Sequence, residues 1–138
     1  MYYDRIMRRV HIEIGGEEHL LAFTLSGLEQ LESRAGTSLI GLITSGEMPG
    51  LSMLIDGFWI GLMGGGKRIK RDEAERLAQD YIDEAENGIG DLASLFNLLV
   101  AVSGIMGAKY ANEVLKAMGL ADKDGEVPEK NAKKAARK

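Results

Sequence analysis

The two histidines are the residues of this sequence with the most versatile chemistry, because imidazole binds metals and transfers protons near neutral pH. His11 and His19 lie on either side of the pair Gly15-Gly16, and no acidic or histidine-rich spacing accompanies them. The sequence contains no cysteine, which excludes thiolate ligands, thiolate nucleophiles and disulfides. We therefore predict no metal site and interpret both histidines as solvated residues of strands.

A glycine-rich segment from Gly64 to Arg68, with the sequence GGGKR, has the composition of an anion-binding loop. A Walker loop, however, has two glycines separated by four residues, followed by Lys and Ser or Thr, between a strand and a helix. Here the preceding residues have a helical pattern, and Ile69 follows the basic pair. The favoured interpretation is a turn between two helices. A small regulatory domain that binds an anion or nucleotide through this segment is the alternative.

Carboxylates and serines form no arrangement typical of a catalytic centre. The acidic residues between Glu73 and Glu86 lie opposite an apolar helical stripe, so they are expected to form a solvated face. No nucleophile-elbow sequence surrounds Ser26, Ser38, Ser52 or Ser103. We therefore predict that the protein is not an enzyme, has no cofactor and acts by binding other proteins.

The strands that position these residues follow from the alternation of apolar and polar side chains. Alternation on both sides of Gly15-Gly16 predicts a β-hairpin between Val10 and Leu25. We prefer a register with a four-residue loop from Gly15 to Glu18. This register places Ile12 opposite Leu21 and gathers the apolar side chains on one face.

Apolar residues at steps of three and four predict about five helices after the hairpin. We expect the helices to begin at five places, and the last to continue to Met118: Ser26, Thr37 or Ser38, Leu51, Asp72, and after Gly90 or Asp91. Residues 92 to 108 carry no charge, but this run of 17 residues includes serine, asparagine and glycine. A bilayer span needs about 20 apolar residues, so a buried central helix is favoured over a membrane segment.

Gly57, Gly61 and Gly65 recur at steps of four in the third predicted helix. Because each glycine weakens a helix, this spacing suggests that another backbone approaches the helix closely. The alternative is a frayed helix end that continues into the glycine-rich segment. The residues themselves leave both interpretations open.

The distribution of charge separates the end of the chain from the rest. Residues 1–120 contain 11 basic and 17 acidic side chains, whereas 121–138 contain 6 and 4. An acidic domain lacks the positive face that phosphate contacts require, so we predict no nucleic-acid partner. We expect an α+β fold over residues 1–120, with an N-terminal β-hairpin packed on about five α-helices, and a disordered, basic, flexible tail over 121–138. With no cysteine and no signal-peptide pattern, a cytoplasmic location is expected.

The order of short motifs along the chain resembles that of a known family. A strand ending in FTL at 23–25 is followed by GLEQLE at 27–32, GTSL at 36–39 and a helix containing Trp59. This order is similar to the tail assembly chaperone family of tailed phages and gene transfer agents, in particular its gene-transfer-agent-like branch. The resemblance covers roughly residues 8–105. The triple glycine at 64–66 departs from the family pattern.

The resemblance implies an α+β, homo-oligomeric, non-enzymatic protein of the host cytoplasm. Such a chaperone keeps the hydrophobic tape-measure protein soluble while tail tube subunits are recruited around it. The alternatives are a structural tail-completion component of the virion and the small ligand-binding domain described above. Because flexible or aromatic side chains suit varied apolar partners, we expect five residues to contact protein partners: Phe58, Trp59, Met63, Leu98 and Met106. The alternative for each is a place in the core.

Overall fold

An antiparallel sheet of three strands forms the beginning of the chain in a computed structural model that describes residues 1–120. Strands β1 (Tyr2–Asp4), β2 (Arg9–Ile14) and β3 (Glu17–Leu21) lie in the order β1-β2-β3. The predicted β-hairpin is confirmed as β2 and β3, but β3 ends at Leu21, and Leu25, where the second strand was expected to end, is the first residue of a helix. Strand β1 is added beside β2 and contributes the fully buried Tyr3, which lies opposite Val10.

The turn between β2 and β3 consists of Gly15-Gly16 alone, so the predicted four-residue loop is wrong. Both glycines have positive φ angles, 58° and 80°, as a two-residue hairpin turn requires. In this register Val10 lies opposite Leu21 and Ile12 lies opposite His19. The interpretation of His19 as a solvated residue is therefore also wrong, because its side chain shares the buried face and is 5% exposed. The turn geometry set the register, although another register paired more apolar side chains.

The helices follow the sheet and confirm the α+β prediction. Over residues 1–120 they number six: α1 (Leu25–Ala35), α2 (Leu39–Ser45), α3 (Leu51–Gly64), α4 (Arg71–Glu84), α5 (Ile89–Ser103) and α6 (Gly107–Met118). The N-cap of α1 is Thr24, whose Oγ1 accepts a hydrogen bond from the Gly27 amide at 3.0 Å, rather than Ser26. Helix α4 begins one residue before Asp72, and Lys70 occupies its N-cap position.

The long final helix that was predicted is in fact two helices. Helix α5 ends at Ser103 and is capped by Gly104, which has a φ of 81°, and α6 begins at Gly107, which has a φ of 87°. Glycine takes such left-handed angles without the steric cost that other residues incur, so these two positions allow the chain to turn. The apolar composition continues across the break, which explains why a single helix was expected.

Helices α3 and α5 form the centre of the fold. Helix α5 is buried on most sides because it packs against α3, α4, α6 and β2. A Cβ at Gly57 would lie 2.7 Å from the ring of Phe96, and one at Gly61 would lie 3.2 Å from Leu21. The predicted close approach of another backbone is observed at Gly65, where a Cβ would meet the carbonyl oxygen of Leu20, whereas the close neighbours of Gly57 and Gly61 are side chains.

In residues 1–120, no helix has both the length and the apolar character that a membrane crossing requires. Helix α5 contains 15 residues. The tail predicted over 121–138 lies outside the described residues.

Candidate protein-binding surfaces

The five residues predicted to contact partners do not form one surface. Phe58 and Leu98 are 2% and 0% exposed, so these side chains offer no contact area to a partner in this conformation. Trp59, Met63 and Met106 are half-buried, and Trp59 and Met106 pack against the core. Only these three retain some exposed area for an interaction.

Much of the Trp59 side chain is engaged within the chain. Its Nε1 atom donates a hydrogen bond of 2.9 Å to the carbonyl oxygen of Ile69, in the connection between α3 and α4. The guanidinium of Arg34 lies 5.3 Å from the centre of the indole ring, within the range of a cation–π interaction. Trp59 thus joins α1, α3 and the connection that leads to α4.

A buried carboxylate lies beside this tryptophan. Asp56 accepts a hydrogen bond from Nε of Arg71 at 2.7 Å, and its other oxygen lies 3.2 Å from Nε of Arg34. Burial opposes ionisation, but hydrogen bonds and charge from Arg71 and Arg34 outweigh it, so the pKa of Asp56 is lower than its ordinary value. An ionised carboxylate held by two cations stabilises the junction of α1, α3 and α4 and is poorly suited to proton transfer.

The two histidines lie on opposite faces of the sheet. Burial lowers the pKa of His19, and the positive charge of Lys67 lowers it further. His11 stacks on Tyr2 with ring centres 4.2 Å apart, and its Nδ1 lies 3.1 Å from Glu18. Within residues 1–120, no three residues of the types His, Asp or Glu come together in a group that could hold a metal ion.

The amides of the glycine-rich segment are already engaged in hydrogen bonds. The amides of Gly65, Gly66 and Lys67 donate to carbonyl oxygens of α3 at distances between 2.9 and 3.0 Å. An anion-binding loop needs amides that point towards the ligand. The segment therefore forms the C-terminal end of α3, as the turn interpretation predicted, and these three amides are directed at the helix.

An apolar groove lies between α2, the α2–α3 loop and helices α5 and α6. We call it the α5–α6 groove, and its volume is about 340 Å³. Its apolar lining includes Leu42, Ile43, Met48, Phe96, Val114 and Met118. Met48 is 68% exposed, so the loop presents a flexible thioether at the surface.

A few polar groups accompany this apolar lining. Ser94, Asn97 and Glu47 contribute side chains, and burial raises the pKa of the Tyr110 hydroxyl. An apolar groove with a few polar groups at its edge is suited to the apolar face of an amphipathic segment. Sequence reasoning missed this groove because it assigned 107–118 to one continuous central helix. The sequence does contain a pattern for this wall of the groove, since Tyr110, Val114 and Met118 recur at steps of four after Gly107 and so share one face of a helix.

No protein-family model, curated protein or solved structure matches this chain. A proposal of function must therefore be argued from the structure itself, and the α5–α6 groove is the feature that it uses.

Proposed function

We propose that this protein is a non-enzymatic tail assembly chaperone of a phage or prophage. It binds the tape-measure protein in the host cytoplasm and helps to recruit tail tube subunits during tail assembly. The α5–α6 groove carries the proposal, because it is an apolar surface and residues 1–120 contain no recognisable catalytic arrangement. The order of motifs between residues 8 and 105 supports the identity of the partner.

The groove suits an apolar helical segment. Recognition of a helix in a groove uses apolar side chains at steps of three and four, inserted between two elements of the receptor. Here the α2–α3 loop forms one wall and α6 the other, with Met48 and Met118 on these two walls. Because methionine side chains adapt their shape, such walls accept successive apolar segments of different sequence. A chaperone for a long hydrophobic protein needs this tolerance.

The polar groups that would suggest chemistry are engaged elsewhere. Asp56 is held by two arginines, and the amides from Gly65 to Lys67 donate to α3. His11 and His19 occupy opposite faces of the sheet. These contacts favour a binding role over catalysis or anion binding.

The test is co-expression with the tape-measure protein encoded near this gene. We expect the wild-type chain to keep that protein soluble and to co-purify with it. Met48→Asp and Ala117→Asp introduce charge at exposed positions that line the groove, so both variants should fold while binding falls at least about tenfold. Leu51→Asp is the control, because Leu51 is 59% exposed and does not line the groove.

Two results would overturn the proposal. The first is a wild-type chain that leaves the tape-measure protein insoluble. The second is unchanged binding by both groove variants. Mass spectrometry of purified particles separates a chaperone from a tail-completion component, because only the latter remains in the finished tail.

A further inference from the structure

A second apolar surface lies around the first residue of α1. Leu25 is 69% exposed, and together with Leu28 and Ile105 it borders two adjoining depressions with volumes of about 610 and 190 Å³. Met7 borders the first depression and is 55% exposed, and Ile40 borders the second and is 50% exposed. We call this area the Leu25 surface. None of its residues lines the α5–α6 groove.

Exposed apolar residues that occur singly need no explanation, but three large ones around joined depressions form a patch that favours association. The patch joins elements that are distant in sequence. Met7 precedes β2, Leu25 begins α1 and Ile105 links α5 to α6. Because these elements belong to the folded core, the patch is a preformed surface.

Charges of opposite sign border the two depressions. Arg8 lines only the first, whereas Glu29 and Glu32 line only the second. All three side chains are exposed. Since Leu25 and Glu29 lie four residues apart on α1, they share one face of the helix. The Leu25 surface therefore has a positive side, a shared apolar centre and a negative side.

Arg8 is held in place by its backbone and by a hydrogen bond. It has a φ of 56°, which is unusual for a residue other than glycine, and its Nη1 donates to the carbonyl oxygen of Ser103 at 3.3 Å. A guanidinium has five N–H donors, so others remain for a partner. Strained conformations of this kind persist where the surrounding structure fixes them, often at functional positions.

This arrangement of charge favours a second copy of the chain as the partner. In a two-fold symmetric interface, the same surface of each subunit meets itself, so residue i contacts residue j and residue j contacts residue i. A two-fold axis through the shared apolar centre would bring Arg8 of each copy to Glu29 of the other.

We propose that the Leu25 surface is the interface of a symmetric homodimer, with Leu25 near the two-fold axis and Arg8 facing Glu29 of the second copy. The interface does not depend on what the α5–α6 groove binds. Each copy of the dimer retains its own groove, because the two sites share no lining residue.

The first test is the association state, measured by sedimentation velocity over a range of concentrations. Leu25→Glu should give a folded monomer, because an acidic residue in the first turn of a helix is favourable while a carboxylate in an apolar interface is not. Leu51→Glu is the matched control. Leu51 is also the first residue of a helix, is 59% exposed and lies outside the Leu25 surface, so this variant should remain dimeric.

The second test exchanges the charges. Arg8→Glu and Glu29→Arg should each raise the dimer Kd at least about tenfold, because like charges then face each other twice in each dimer. An equimolar mixture of the two variants should form heterodimers with a Kd within about threefold of the wild-type value, because both contacts then pair opposite charges. Circular dichroism of each variant confirms that it is folded.

Three results would overturn the proposal: a wild-type chain that stays monomeric at about 1 mM, dissociation by Leu51→Glu but not by Leu25→Glu, or a mixture that associates no better than its components. If Arg8→Glu fails to fold, the comparison of Leu25→Glu with Leu51→Glu still tests whether the Leu25 surface is the dimer interface. A Leu25→Glu monomer that still binds the tape-measure protein would support the interface and separate it from the groove.

Discussion

Gly65 lies so close to Leu20 that a Cβ at position 65 would overlap the carbonyl oxygen of Leu20. The neighbouring Gly64 has the same relationship to the carbonyl oxygen of Ala22, whose amide donates a hydrogen bond of 2.9 Å to Gly61. The end of α3 therefore contacts the end of β3 through backbone atoms, without side chains between them. This contact joins the sheet to the central helix.

Substitution of Gly65 by alanine should separate these two backbones. Because the obstructing atom belongs to the backbone of Leu20, it cannot rotate away, and we expect Gly65→Ala to lower the free energy of unfolding by about 3 kcal/mol. Gly90→Ala is the control, since the nearest atom to its Cβ would be 3.7 Å away and alanine is the better helix former. Urea unfolding followed by fluorescence of the single tryptophan, Trp59, measures both variants. Equal stability of the two variants would contradict the close contact.

The glycine spacing shows which features of the fold could be predicted from the sequence and which could not. Steps of four at Gly57, Gly61 and Gly65 indicated a close approach, but the identity of the approaching element depends on the tertiary arrangement of β3 and α5. Helical stripes were recognised because they are local. The break between α5 and α6 was missed because apolar residues continue through Gly104.

The register of the hairpin was the part of the sheet that the sequence did not predict correctly. The alternation in β2 and β3 identified the hairpin, but the register depends on the turn, and the left-handed angles of Gly15-Gly16 favour a two-residue turn. The two-residue turn sets the register that places His19 on the buried face. The α5–α6 groove and the Leu25 surface likewise join segments that are distant in sequence, so local patterns do not show them.

The carboxylate of Asp56 should stabilise the fold at neutral pH. Asp56→Asn leaves Arg34 and Arg71 without their shared partner, and we expect a loss of about 2 kcal/mol at pH 7, because both arginines are partly exposed. The pKa of Asp56 is lowered in the folded state, so its contribution is present above the unfolded pKa and is lost as pH falls through the folded pKa. The difference between wild type and variant should therefore shrink below about pH 4.

Asp80→Asn provides the control for this measurement, because Asp80 is exposed on α4. We expect it to change the free energy of unfolding by less than about 0.5 kcal/mol. A difference between Asp56→Asn and wild type that stays constant from pH 7 to pH 3 would refute the ionised state of Asp56.

His19 should make the fold sensitive to mild acid. Burial, aided by Lys67, lowers the pKa of His19 in the folded state, so protonation favours the unfolded chain. The stability is complete above the unfolded pKa of about 6.5 and falls below it, by at most about 1.4 kcal/mol per pH unit. His19→Leu should remove most of the decline between pH 7 and 5.5, whereas His11→Gln should retain it. Identical declines in both variants would exclude His19 as the cause.

Trp59 should act mainly within the chain rather than at an interface. Trp59→Phe removes the Nε1 donor from the carbonyl oxygen of Ile69 and reduces the ring beneath Arg34, so we expect the free energy of unfolding to fall by about 1–2 kcal/mol. Dimerisation and retention of the tape-measure protein should stay within about twofold of wild type, because the residue lines neither the α5–α6 groove nor the Leu25 surface. Chemical unfolding followed by circular dichroism gives the stability, and sedimentation and co-purification give the other two quantities. A variant with wild-type stability but impaired binding would show instead that Trp59 contacts a protein partner, as the sequence analysis expected.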